Sequence, residues 1–187
     1  MIHPAVAIQK AAWEYRQRQQ SGPPHPATEH LLDYAQHTWP GYQRAPHLER
    51  VAEELEAIER GESDRLMVFM PPRHGKSELV SIRFPAWYFS RHPDRQAIAA
   101  SYGETLTRKH GRAVRDLLRD ERTREIFPGG VQVRVDTAAA DYWLTTAGGQ
   151  YLGTTIGGQI TGHGANLLVI DDPIKSRAEA ESQVFRD

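Results

Sequence analysis

The chain contains no cysteine. That excludes disulfides, cysteine-ligated zinc and thiol nucleophiles, and it fits a reducing compartment. No apolar run approaches the ~18 residues that a membrane span needs. The first residues lack the charged-then-apolar layout of a signal peptide. A soluble, cytoplasmic protein with no membrane partner is therefore expected. Neither sign of charge dominates: 23 Lys and Arg stand against 24 Asp and Glu, a formal net charge of −1. This excludes a uniformly basic nucleic-acid coat, so any DNA contact must use a local patch. What is present is globular. At 187 residues, 39% hydrophobic and 25% charged, the chain can bury the core of one domain.

Residues 1–44 read as a helical extension with a proline-rich break. Ala5, Ile8, Ala12 and Tyr15 share a helical face, and Ser21-Gly22-Pro23-Pro24 ends it. A short helix is expected over 28–37. A clearer one spans 46–60, with Leu48, Val51, Ala52, Leu55 and Ile58 as its apolar stripe. Pro46 sits in its first turn and Gly61 just past its end.

From Leu66 the texture changes. Leu66-Met67-Val68-Phe69-Met70 is continuously apolar and reads as a strand buried on both faces. A loop follows, then a helix from about Lys76 that Pro85 should kink or end. A second strand lies within 96–102, and a long helix spans 104–124. Val131, Val133 and Val135 alternate like a half-exposed strand. A hairpin over 142–155 turns at Gly148-Gly149, and Leu167-Leu168-Val169-Ile170 forms a last buried strand. This alternation predicts an α/β domain over 45–187, its sheet flanked by helices.

Met70-Pro71-Pro72-Arg73-His74-Gly75-Lys76-Ser77 lies between the expected strand and helix, where a phosphate-binding loop belongs. Such a turn aims backbone N–H groups inward at the positive end of a helix dipole. Gly75 allows close backbone approach. Lys76 would reach the β- and γ-phosphates, and the Ser77 hydroxyl would ligate magnesium. The nucleotide-binding set is Pro72, Arg73, His74, Gly75, Lys76, Ser77 and Glu78. The usual first glycine of the G-x-x-x-x-G-K-[ST] pattern is Met70 here.

Asp171 and Asp172 end the last strand. In nucleotide-hydrolysing folds one such carboxylate holds magnesium and its neighbour activates water. Asp171 takes the first role and Asp172 the second. The plainer alternative is a strand cap that opens a turn with Pro173. Arg73 is the candidate for stabilising charge near the γ-phosphate. The alternative is a surface arginine paired with a neighbour.

These residues resemble the ATPase centre of phage terminase large subunits, in the branch that carries Asp-Asp-Pro. The resemblance runs from Arg65 through the Gly75-Lys76-Ser77-Glu78-Leu79 loop. It continues through Phe84-Pro85-Ala86-Trp87-Tyr88, Ala99-Ala100-Ser101-Tyr102, and Gly157 to Asn166 before Asp171-Asp172-Pro173-Ile174-Lys175. It implies a P-loop NTPase of the RecA-like (ASCE) type with a mainly parallel sheet. It implies hydrolysis of ATP with Mg2+ to package double-stranded DNA into procapsids. The implied partners are a portal protein and a small terminase subunit, and the implied assembly is a homo-oligomeric ring, transiently at the portal.

Three departures stand out. Many relatives carry Glu where Asp172 stands, so its carboxylate is set back by about 1.5 Å. His163 occupies a place where Arg is frequent. The family's coupling segment and nuclease domain would follow Asp187, so a truncated ATPase domain is expected. Other readings remain: a helicase-like P-loop ATPase, or a non-hydrolysing nucleotide-binding remnant.

Weaker signals accompany these. Arg108, Arg112, Arg115, Arg119 and Arg122 fall on one face of the 104–124 helix, with Leu106, Ala113 and Leu117 on the face expected to pack. The arginines suit DNA phosphates, or a solvated face neutralised by Asp116, Asp120 and Glu121. Trp39, Tyr42, Gln43 and His47 suit either adenine contact or ordinary packing. The nine histidines show no H-x-x-x-H pair, which argues against a dedicated metal site.

Overall fold

In the computed structural model, residues 24–175 are described. The helix expected around Ala5 to Tyr15 lies outside them. Three helices lead: α1 (Pro26–Glu29), α2 (Leu31–Thr38) and α3 (Pro46–Glu59). His25 caps α1, its Nδ1 accepting from the Ala27 N–H at 3.1 Å. Pro46 occupies the first turn of α3, where its missing N–H costs nothing. Leu48, Ala52 and Leu55 are the buried stripe, as the spacing predicts.

The next helix passes through Pro85 instead of stopping there. A π-helical stretch, Glu78–Arg83, runs straight into α4 (Phe84–Arg91). The Phe84 N–H reaches back five residues to the Leu79 carbonyl. A π turn is wide enough to relieve the proline ring, so the helix continues through it. Phe84, Trp87 and Phe89 of α4 are all but fully buried and anchor the core.

The sheet is mixed rather than mainly parallel. Its strands are β1 (Gln96–Ser101), β2 (Val133–Ala138), β3 (Tyr142–Thr145), β4 (Gln150–Thr155) and β5 (Leu167–Asp171), in the order β2-β3-β4-β1-β5. β1 pairs in parallel with β4 and β5. β2, β3 and β4 form an antiparallel meander, including the expected hairpin. The short connections over 139–141 and 146–149 permit only antiparallel neighbours.

Two expected strands are corrected. Residues 66–70 are extended but pair with no strand. Leu66 and Met70 pack against the core, whereas Met67 and Phe69 are 78% and 85% exposed. A strand exists only through a ladder partner, and this run, which lines a groove with His47, Val51 and Glu54 of α3, has none among the described residues. β5 does form, but it is buried on one face only. Leu167, Val169 and Asp171 point inward, while Leu168 and Ile170 are more than half exposed. Helices cover one face of this end of the sheet, so the pleat alternation decides burial.

The 104–124 helix is also two helices, α5 (Glu104–Arg119) and α6 (Glu121–Ile126). Asp120 leaves helical geometry, and its side chain accepts from the Arg122 N–H at 2.8 Å, capping α6. The buried face of α5 is Thr107, His110, Gly111, Val114 and Leu118. Leu106, Ala113 and Leu117 are half-buried, so the packing face is shifted from the expected one. The arginine stripe divides accordingly. Arg115 donates to the carbonyls of Ala138 and Ala139, and Arg122 donates to the Thr38 carbonyl.

Gly111 sets how closely α5 approaches the sheet. A Cβ there would lie 2.2 Å from the Ala140 carbonyl oxygen and 2.9 Å from Tyr151 Cε1. Tyr151 in turn stacks on Trp143, with centroids 4.9 Å apart. Gly111→Ala is expected to destabilise the fold by about 1–3 kcal/mol, read as a lower urea midpoint. An unchanged midpoint would show that α5 can move away from the sheet freely.

Candidate functional site

Two segments meet at the carboxyl end of β5. The first is the turn before the π helix. Arg73 (φ 64°) and Gly75 (φ 87°) both adopt left-handed backbone there. A Cβ at position 75 would come within 3.3 Å of the Leu48 methyl groups, so glycine answers both backbone and space. The turn is tied down locally. His74 Nδ1–H donates to the Pro72 carbonyl at 2.8 Å, and His47 Nε2–H, from α3, donates to the His74 carbonyl at 3.2 Å.

The second segment is the end of β5. Asp172 leaves the strand with φ 45°, and its carbonyl accepts from the Tyr102 N–H at 3.1 Å, joining the tips of β5 and β1. Among the described residues, Arg73 and Asp172 are the two non-glycine residues with positive φ. Such backbone costs of order 1–3 kcal/mol and concentrates at functional sites.

Lys76 bridges the segments. Its Nζ donates to Asp171 Oδ1 at 2.6 Å and to Asp172 Oδ1 at 2.8 Å. The Asp171 side chain is 5% exposed and that of Asp172 56%, so the ammonium sits between a buried and an open carboxylate. Burial alone would raise the Asp171 pKa, but Lys76 and the adjacent Ser77 hydroxyl outweigh it, and the net direction is down. Burial likewise works to lower the Lys76 pKa, and the two carboxylates reverse it to a net rise.

Lys76, Ser77, Asp171 and Asp172 are thus brought together as the spacing suggests. Pro72, His74 and Gly75 form the turn beside them. Arg73 is exposed. The Glu78 carboxylate faces elsewhere, accepting from Arg83 Nε at 2.8 Å, so only its backbone belongs to the turn. His163 lies in the 156–166 loop, bonded to Gln150 at 2.9 Å, away from the cluster. Trp39 packs edge-on against Tyr42 under the Arg83 guanidinium.

Sequence reasoning passed over Ser81 and His110, both buried and both lining a small cavity against Asp171. A signal for His110 was available. Thr107, His110, Gly111, Val114 and Leu118 recur at three- and four-residue steps, an inward stripe of small or polar residues.

The fold and site define an α/β domain that sets a Gly-Lys-Ser turn against a carboxylate pair at a strand tip. The family model described as terminase large subunit, T4likevirus-type, N-terminal, matches residues 67–187. The chain belongs to that family, whose N-terminal domain is typically an ATPase with a role in phage DNA packaging. No curated protein and no solved structure gives a significant match. Among the described residues, no helix is long and apolar enough to cross a membrane.

The bridge makes a pH-dependent contribution to stability. The folded-state pKa of Asp171 lies below its ordinary 3.8, so the contribution is present above that value and is lost as pH falls through the depressed one. Lys76→Met leaves the buried carboxylate without its cation. It should destabilise the fold at pH 7, toward the low end of the roughly 3–5 kcal/mol seen when one partner of a buried pair is removed. The gap from wild type should narrow as pH falls, starting above 3.8, where burial without Lys76 protonates the variant's Asp171, and continuing below it as the wild-type bridge is lost. Thermal melts from pH 7 to pH 3 would measure this, and a gap independent of pH would refute it.

Proposed function

We propose that residues 45–187 act as a P-loop ATPase unit of the RecA-like (ASCE) type, preceded by the 1–44 helical extension, and that hydrolysis of ATP powers packaging of double-stranded DNA. The observation that carries this reading is the Lys76 ammonium held between Asp171 and Asp172 beside Ser77. A positive charge is stabilised between these carboxylates, which supports reading this as the place for a nucleotide's metal ion. The donors are a carboxylate and a hydroxyl, hard oxygens that suit Mg2+. Among the described residues there is no group of three or more acidic, His or Cys ligands. This fits an ion that takes the rest of its shell from phosphates and water.

In this reading Ser77 and Asp171 would hold the magnesium, which would supply charge neutralisation on the phosphate oxygens. Lys76 exchanges its carboxylate partners for the β- and γ-phosphates. The backbone from Pro72 to Glu78 cradles the phosphates, and Arg73, exposed beside the turn, stabilises charge on the transferring group. Asp172, open to solvent, accepts a proton from the attacking water. The water oxygen bonds to the γ-phosphorus, the bond to the bridging oxygen breaks, and ADP leaves with that electron pair. The wider assignment, a homo-oligomeric ring with portal and small-subunit partners acting in the host cytoplasm, rests on the family.

Two variants test the site. Lys76→Ala should abolish saturable binding of ATP with magnesium in titration calorimetry. Asp172→Asn should keep binding within a few-fold while turnover falls about 10²–10⁴-fold. Binding without turnover in the wild type would favour the non-hydrolysing alternative. An absence of binding by folded protein would refute the reading.

A further inference from the structure

Asp171 faces two ways. Its Oδ1 meets Lys76, but its Oδ2 is buried and has no hydrogen-bond partner among the described residues. The Ser81 hydroxyl beside it, on the π turn, is likewise buried; it favours the ionised carboxylate without closing a hydrogen bond of good geometry. An orphaned buried carboxylate oxygen carries an uncompensated desolvation cost. Two orphans facing one space call for a common partner.

That space is a cavity of about 10 Å3, bounded by Ser81, Ser101, Thr107, His110, Val169 and Asp171. It has room for a single water. The His110 side chain is 6% exposed, and its Nδ1 lies 3.9 Å from Asp171 Oδ2. This is too far for a direct hydrogen bond and within the range where a water mediates. Ser101 and Thr107 do not compete for that position. Their hydroxyls bond to each other at 2.7 Å, to the Gly103 carbonyl, and from Thr107 to the Thr154 carbonyl.

We propose that His110 is a positioning residue: with Ser81 and one buried water it holds Asp171 Oδ2 from behind, fixing the carboxylate so that Oδ1 faces the Gly75-Lys76-Ser77 turn. The inference rests on the reading of Asp171 as the residue that meets the nucleotide's metal ion. Its importance grows when Lys76 moves to phosphate, because the rear contact is then what keeps the carboxylate in its rotamer. Burial pushes the His110 pKa down, against the opposing pull of Asp171. The contact orients the metal ligand and does not itself touch substrate.

The experiment uses Mn2+ as a spectroscopic substitute for Mg2+ with a non-hydrolysable ATP analogue, its affinity read by electron paramagnetic resonance. ADP affinity in EDTA is measured in parallel. His110→Leu, which keeps bulk and removes the imidazole, should weaken Mn2+ about 10–100-fold and leave metal-free ADP affinity within about twofold. His110→Asn, which retains an N–H near the Nδ1 position, should restore Mn2+ affinity to within about threefold of wild type. Ser81→Ala, on a different element, should weaken Mn2+ in the same selective way and guards against misfolding of the helix variant. Unchanged Mn2+ affinity in both His110→Leu and Ser81→Ala, with ADP binding intact, would overturn the proposal alone. Equal loss in His110→Leu and His110→Asn would also overturn it, pointing to packing. Failure of folded wild-type protein to bind the ATP analogue with Mn2+ would overturn the nucleotide reading together with this one.

Discussion

The bridge from Lys76 to Asp171 and Asp172 joins two parts of the chain that no sheet pairing connects. On one side lie the turn, the π stretch and α4. On the other lies β5, at the end of the sheet. Packing of α5 on β1 and β4 orients the sheet, and the π stretch meets β5 directly. The ion pair then fixes where the turn stands relative to the strand tip. It also stores opposing tendencies. Burial disfavours the charges on Lys76 and Asp171, and their attraction to their partners outweighs it. Such a pair contributes little net stability and a good deal of geometry.

How much of this was legible follows from which signals are local. The Gly-Lys-Ser turn, the strand-tip aspartates, α3 with its stripe and the hairpin at Gly148-Gly149 are set by near neighbours, and they appear where the spacing puts them. The misses depend on distant partners. Whether 66–70 becomes a strand depends on an available edge, not on its own apolar character. Whether β5 is buried on one face or two depends on what packs behind it. The side of α5 that faces the sheet is chosen by a glycine fitting against Ala140 and Tyr151, which no count of leucines reveals. The break at Asp120 was visible in kind, an aspartate before a new helix, but the strong periodicity of the flanking residues concealed it.

The candidate site divides the same way. Its front, Lys76 with Ser77, Asp171 and Asp172, was readable because those residue types carry recognisable chemistry. Its rear, Ser81 and His110, was not, because a serine one turn before a proline and a histidine among basic residues look ordinary. Their meaning comes only from a shared cavity against one carboxylate. The left-handed backbone at Arg73 was equally hidden, since arginine does not announce positive φ, whereas Asp172 is of a type more often found there.

The π stretch between the turn and α4 has a mechanical consequence. Glu78–Arg83 spans the distance from Lys76 and Ser77 to a rigid cluster of Phe84, Trp87 and Phe89. A π turn is wider and less regularly bonded than the α-helix that follows it. Stiffness along this helix is therefore graded, compliant at the Gly-Lys-Ser end and firm in the core. A displacement applied at Lys76 is absorbed over the wide turn before it reaches Trp87. Because Ser81 sits within that turn, the same displacement is felt at once behind the strand-tip carboxylate.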